Sequence, residues 1–244
     1  YSSEEDLYND GPDGHNFWEK RSFDISWNTP YSKVQIDLPQ ENWLVNIANE
    51  DTLWITMSGY DIDLGNFSKL LVQYNTPDGD LYNWNPAMEV TKEELEAFPY
   101  YFQKGWNIPG SLDDGRFLVR AVAVDSVHGN YSSEYLSGLI DRNAPEVMGT
   151  PSPIDGILGF DDEIFINFNE EISQEDLDIS GIELTNLRLN EAVAFEAQAF
   201  ENRLVITPAV GNQYIENEIL QVTMDRIYDM NGNTLEDPLD GYVW

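Results

Sequence analysis

Short runs of alternating apolar and polar residues, each broken by a cluster of Gly, Pro, Asn or Asp, limit what this 244-residue chain can fold into. A period of two puts every second side chain on one face, which suits a strand with one face buried. Val34, Ile36 and Leu38 alternate with polar neighbours; Leu53, Ile55 and Met57 do the same, with Trp54 on the opposite face. Residues 70–74 form a short buried-type run, 116–124 the longest strand candidate, and 135–140 the last of this group. The pattern stops at Ile140 and resumes at 164–168, 182–189, 193–200, 204–206 and 219–224, with Tyr242-Val-Trp244 as a final strand. About seven short strands per roughly 100 residues, with turn residues between them, predict β-sandwiches.

One helix is expected, over 91–98. Thr91 and Glu94 have the spacing of a capping box, in which hydroxyl and carboxylate satisfy each other's orphan amides. Pro99 ends it. Asp141-Arg-Asn-Ala-Pro145 separates the two groups of strands. Pro145 forces Ala144 into an extended conformation, as a short joint requires. The expected organisation is therefore an N-terminal extension or the end of a preceding module (1–32), a first sandwich with an inserted helix (33–142) and a second sandwich (143–244). The extension holds the acidic turn run Asn9-Asp10-Gly11-Pro12-Asp13-Gly14 and the apolar residues Phe17, Trp18, Phe23, Ile25 and Trp27.

Charge narrows the function classes. The chain carries 45 acids against 12 bases, a net charge of −33. Phosphate backbones and anionic lipid surfaces both demand a basic face, so nucleic acid and such membranes are excluded as partners. No stretch nears the roughly 18 apolar residues that a membrane span needs. The 41% hydrophobic content is too high for a disordered acidic tail. Absence of cysteine removes disulfides, thiolate nucleophiles and Cys-based metal sites. The acids are spread evenly: residues 141–244 hold 22 acids and four arginines, with no lysine. Such a surface repels itself, a strain that salt or divalent cations relieve. Tyr1 opens no charged-then-apolar leader, and the ends at Tyr1 and Trp244 lead us to expect a segment of a longer protein.

Two motifs carry a family resemblance. Ala144-Pro-Glu-Val147, Pro151-Ser-Pro153, Asp155-Gly156 and Asp162-Glu-Ile-Phe-Ile-Asn-Phe-Asn-Glu170, with a closing Tyr228-Asp229-Met-Asn-Gly-Asn233, resemble an S-layer-type bacterial immunoglobulin-like domain. The residues Asp114-Gly-Arg-Phe-Leu-Val-Arg-Ala-Val-Ala-Val-Asp125, His128-Gly-Asn-Tyr-Ser132 and Ile140-Asp141 more weakly resemble a fibronectin type III or bacterial Ig-like module. The corner tyrosine of such sandwiches falls near Phe117, which has no hydroxyl. The resemblance implies tandem modules, an extracellular or cell-surface location, a structural or adhesive role and no catalytic residues. Partners would be neighbouring modules of the same chain, surface glycans or another cell-surface protein.

Calcium is the sharpest site expectation, since it takes six to eight hard oxygen ligands. Asp113 and Asp114 precede the longest strand, Asp141 and Asn143 stand in the joint, and Asp229 and Asn231 lie in the last turn. Asp-x-Asn-Ala-Pro also resembles the calcium-binding linker of cadherins. The plainer alternatives are that Asp141 and Asn143 make turns, that Gly232 completes an ordinary β-turn, and that the acids are solvated. Asp229-x-Asn231-Gly-Asn233 is no EF-hand, because no Glu falls at its twelfth position.

A carbohydrate-binding accessory module is the alternative function. Tyr82, Trp84, Tyr101 and Trp106, with Tyr100, gather around the inserted helix, and flat rings of this kind stack on sugars. The competing reading sends them into the core, Trp54 and Trp84 first. Catalysis has little support. His15 and His128, the two histidines, lie in turn-rich stretches and suit no Ser-His-Asp triad. A carboxylate pair of the glycosidase kind lacks a cleft to sit in. Asn66-Phe-Ser68 and Asn130-Tyr-Ser132 would accept N-glycans in a eukaryotic secretory pathway. The expectation is a non-catalytic stalk or adhesin segment.

Overall fold

The computed structural model describes residues 33–60, 66–97, 101–158, 162–209, 219–235 and 239–243. The expected extension over 1–32, with His15, falls outside the described residues, as do Pro99, Tyr100 and Trp244. Strand is the dominant element of the described chain, and helix is minor. The described residues divide into two compact units, one of 33–43, 52–108 and 116–139, the other of 44–51, 109–115 and 140–243. The chain passes from the first unit to the second at residue 140, and segments 44–51 and 109–115 group with the second unit.

In the first unit, alternation does what the sequence asked. Strand β3 (Thr52–Tyr60) buries Leu53, Ile55 and Met57 and turns Trp54 outward, 60% exposed. It lies between β1 (Lys33–Leu38) and β6 (Tyr101–Asn107) in an antiparallel three-stranded sheet. The facing sheet runs in the order β2 (Trp43–Val45), β9 (Leu136–Ile140), β7 (Gly115–Asp125), β4 (Phe67–Asn75), β5 (Asn85–Thr91), and β8 (Gly129–Ser132) also pairs with β7. The fifth strand stays beside the fourth and does not cross to the first sheet, unlike the constant-type immunoglobulin arrangement. Helix α1 (Lys92–Ala97) leaves β5 through the predicted capping box: Thr91 N–H donates to Glu94 Oε2 at 2.9 Å, and Glu94 N–H to Thr91 Oγ1 at 3.3 Å.

Phe117 supplies no corner hydroxyl. It is buried, edge-on to Tyr74 (centroids 6.1 Å apart), and Tyr74 stacks on the buried Trp106 at 5.0 Å. Three rings in contact fill the space between the sheets by area and ring geometry. Trp84 is also core, with its indole N–H donated to Leu81 O at 2.7 Å and Arg120 lying over its ring.

The second unit pairs β10 (Val147–Ser152), β11 (Ile164–Phe168), β15 (Arg203–Pro208) and β14 (Phe195–Phe200) in one sheet. β13 (Glu191–Ala192), β12 (Ile182–Asn186), β16 (Leu220–Met224) and β17 (Leu239–Val243) form the other. Lettered in chain order, this is the A-B-E-D and C′-C-F-G division of an immunoglobulin sandwich. Ile164, Ile166, Phe168, Leu184, Leu204, Ile206 and Val222 meet between the sheets at 1% exposure or less.

Gly138 in β9 shows how tight the first unit is: a Cβ there would come within 1.9 Å of the Trp43 ring, whereas Gly110 has nothing within 4 Å. Gly138→Ala is expected to cost about 1–3 kcal/mol, the range for overpacking. Urea unfolding of this variant beside Gly110→Ala checks it; equal midpoints would contradict the packing.

Candidate metal centre

Strand β9 delivers the chain into a stretch without secondary structure, Asp141 to Glu146. Asp141 N–H donates to Val45 O at 2.8 Å, which fixes its backbone. Glu170 follows β11 by two residues. Beyond it, Ile172 forms an isolated antiparallel bridge with Asp229, so the start of one connection and the last hairpin are brought side by side. Three carboxylates result. One oxygen each from Asp141, Glu170 and Asp229 lies within 4.8 Å of the others. All three residues belong to the second unit.

Asp229 is fully buried and organises its own turn. Its Oδ1 accepts from the backbone N–H groups of Asn231 and Asn233, each at 2.8 Å, and its Oδ2 from Asn233 Nδ2 at 2.9 Å. Gly232 takes φ of +81°, the left-handed conformation that glycine adopts without strain. The ordinary β-turn expected here is thus present, and the acid sits inside it. The two asparagines reach outward. Asn231 Nδ2 donates to Asp141 Oδ2, and Asn233 Nδ2 to Asp141 O at 3.2 Å. Segment 44–51 is tied to the same hairpin: Asn46 Nδ2 donates to Asn231 O and Ile47 N–H to Asn233 Oδ1, both at 2.9 Å.

Glu170 is the unsatisfied member. Its Oε1 is buried and has no hydrogen-bond partner. Burial pushes its carboxyl up to about 7, helped by the negative charges of Asp229 and Asp141 and a hydrogen bond shared with Asp229. Like charges at this spacing repel by about 3 kcal/mol per pair at an effective dielectric near 20, so the cluster favours a bound proton or cation.

The nearest guanidinium does not supply that charge. Arg142 Nε donates to Asp114 Oδ1 at 2.7 Å, its backbone N–H to Asp114 Oδ2 at 2.6 Å, and its Nη2 to Leu112 O. Asn143 Nδ2 donates to Asp114 as well, at 3.0 Å. The structure separates the expected ligand set. Asp141, Asp229 and Asn231 come together; Asp114 and Asn143 are consumed around Arg142, and Asp113 is exposed. Glu170 is absent from the expected set, although it ends the Phe-Asn-Glu motif that carries the family resemblance. The signal for it is an acid at the end of a strand whose successor pairs with the last turn.

The aromatic set is dispersed. Trp84 and Trp106 are 9% and 2% exposed, so neither presents a face to solvent. Tyr82 is 98% and Tyr101 60% exposed, but the first lies in the loop before β5 and the second after the helix that leaves its other end. Trp54, expected in the core, faces outward because it alternates with Leu53 and Ile55. His128 serves a turn: Asp125 accepts its backbone N–H and that of Val127 at 2.9 and 2.8 Å.

No protein-family model and no curated protein matches the sequence. Solved structures with partial likeness include the CbhA fibronectin(III)-like modules of Clostridium thermocellum, at 16% identity and TM-score 0.30, covering 86% of this chain and 92% of that one. A tetra-tandem repeat from the extending region of a large adhesion protein is 15% identical at TM-score 0.32, covering 87% of this chain and 48% of that one. The FN1–FN3 domains of chicken CNTN1 are 12% identical at TM-score 0.34, covering 86% of this chain and 62% of that one. Likeness at this level leaves the architecture to be argued from this chain's own strands.

The sign of the pH effect follows from Glu170. Its folded-state value lies above the ordinary 4.5, so the folded protein holds the proton more tightly. The stability that proton contributes is present below about 4.5 and lost as pH rises through about 7. In chelator, the melting temperature of the second unit should therefore fall between mildly acidic and mildly alkaline pH, and Glu170→Gln should flatten the fall. Equal slopes in the two proteins would contradict the assignment.

Proposed function

We propose that this chain is a non-catalytic structural segment of a secreted or cell-surface protein, and that a calcium ion at Asp141, Glu170 and Asp229 stiffens its second unit. The observation that carries the reading is three carboxylates gathered from three separate stretches of chain, with no ion pair to a side-chain cation among the described residues. Calcium accepts carboxylate and carbonyl oxygens in a flexible shell. Asp141, Glu170 and Asp229 would supply the charged ligands. Asn231, whose amide now donates to Asp141, would turn its oxygen inward to join them. The ion would replace the proton on Glu170 and hold the chain after β9, the end of β11 and the last hairpin to one centre. The mechanism is mechanical: the sandwiches act as spacers, and the ion resists their opening at this end. Neighbouring modules of a longer chain are the natural partners of such a spacer.

Of the aromatic residues expected to bind glycans, Tyr82 and Tyr101 are the exposed ones among the described residues, and they lie in separate segments, the loop before β5 and the start of β6.

Saturating calcium against chelator should raise the melting temperature of the second unit by roughly 10 °C when the ion exceeds its Kd about 100-fold. Glu170→Gln and Asp141→Asn should each reduce that rise. Calorimetry and titration calorimetry measure it, and identical melting with and without calcium would sink the ion site.

A further inference from the structure

The sequence contains a single Asn-Gly pair, Asn231-Gly232, and the fold places it in the hairpin that faces Asp141. A glycine after an asparagine leaves the following backbone nitrogen sterically free to attack the asparagine's side-chain carbonyl carbon. The turn restrains that attack from both directions. Gly232 N–H is engaged with Asp229 O at 3.4 Å, and Asn231 Nδ2 is drawn to Asp141 Oδ2. Asn231 is held further by its own N–H on Asp229 Oδ1 and by Asn46 Nδ2 on its carbonyl, at 2.8 and 2.9 Å.

We propose that Asn231-Gly232 is a latent deamidation site, kept unreactive by the contact between Asn231 and Asp141, and that its conversion releases segment 44–51 from the hairpin. The inference rests on those contacts and stands apart from the cation.

The chemistry balances with water alone. Gly232 N gives up its proton and bonds to Asn231 Cγ. The Cγ–Nδ2 bond breaks, and the departing nitrogen takes protons and leaves as ammonia, closing a succinimide. Water then adds to one of the two ring carbonyls and opens the ring to aspartate or isoaspartate. One water is consumed, one ammonia is released, and nothing is oxidised or reduced. Aspartate puts a carboxylate where an amide donor met Asp141, beside Glu170 and Asp229, so attraction becomes repulsion; isoaspartate removes the same amide donor and frees the former backbone carbonyl of residue 231 as its carboxylate. The isoaspartyl product also inserts a methylene into the backbone at the left-handed turn. That displaces Asn231 O, the acceptor for Asn46, and Asn233 Oδ1, the acceptor for Ile47. The event is one-way, so the hairpin would record how often it has opened.

The test uses the full chain in chelator at mildly alkaline pH, with deamidation at each asparagine followed by peptide mass spectrometry. Asp141→Ala should convert at Asn231 roughly tenfold faster than the native chain, the change expected when one hydrogen bond to a charged group is lost. Gly232→Ala should drop conversion at Asn231 to the background of the other asparagines. Asn186, in the same unit but outside the cluster, should stay unconverted in every variant. An unchanged rate in Asp141→Ala overturns the proposal, and so does parallel conversion of Asn186, since loss of the whole fold would then explain both. For the release step, hydrogen exchange at the Ile47 amide should rise in Asn231→Asp; retained protection there overturns that half. Because every arm is run without calcium, a failed ion site leaves these outcomes readable.

Discussion

The buried carboxylate of Asp229 is the constraint on which the second unit's functional end depends. A charge taken from water must find hydrogen bonds, and Asp229 finds three within its own hairpin, from Asn231 N–H, Asn233 N–H and Asn233 Nδ2. Meeting that demand fixes the turn. The fixed turn then orients the two asparagine side chains and their carbonyls outward, where Asp141, Asn46 and Ile47 bind them. Without the buried acid there would be no reason for the hairpin to hold one shape, and no shape against which segment 44–51 could be tied.

Charge placement around this anchor is selective. Residues 141–244 contain four arginines. Arg142 is spent on Asp114, with a longer contact to Asp51; Arg226 pairs with Asp178 and Asp225; Arg203 donates to Asn167 and lies over Phe165. Arg188 is exposed, and among the described residues no arginine pairs with Asp141, Glu170 or Asp229, although Arg142 is the residue next to Asp141. The rigid end of β9 sends the Arg142 backbone and side chain to the same carboxylate, Asp114, and Asp141 is left facing the other acids. Proton or metal ion is then the remaining means of neutralising them, since water reaches Glu170 Oε1 poorly.

The strands were legible because alternation is a local signal. Leu53, Ile55 and Met57 announced one buried face, and Ile164, Ile166 and Phe168 another, and both faces are found buried. The capping box of Thr91 and Glu94 was legible for the same reason: its partners are three residues apart. The metal centre was legible only in part. Asp141, Asp229 and Asn231 stood in turn-forming contexts that drew attention, whereas Glu170 became a member through the bridge between Ile172 and Asp229, a pairing of distant residues that no local pattern encodes. Asp114 failed as a ligand for a similar reason. Its nearest charged partner is decided by where the chain turns after Ile140. The tryptophans show the limit most plainly. Composition treats Trp54, Trp84 and Trp106 alike, yet strand phase puts the first outside, and position in the loop and in β6 puts the others inside.

A carboxyl raised to about 7 beside two other acids is also what a general acid looks like, so the choice between catalysis and ion holding needs a physical argument. Acid–base work requires that the group reach a substrate. Glycoside hydrolysis separates its two carboxyls by about 5–9.5 Å so that a bond or a water fits between them. Here one oxygen from each residue lies within 4.8 Å of the others, and Asp229 is buried at 0% exposure among the amides of Asn231 and Asn233. A single small ion can be surrounded at that spacing, while a sugar ring cannot enter it. Burial and the crowding of the three carboxylates account for the raised Glu170, and either a proton or a cation would relieve that crowding.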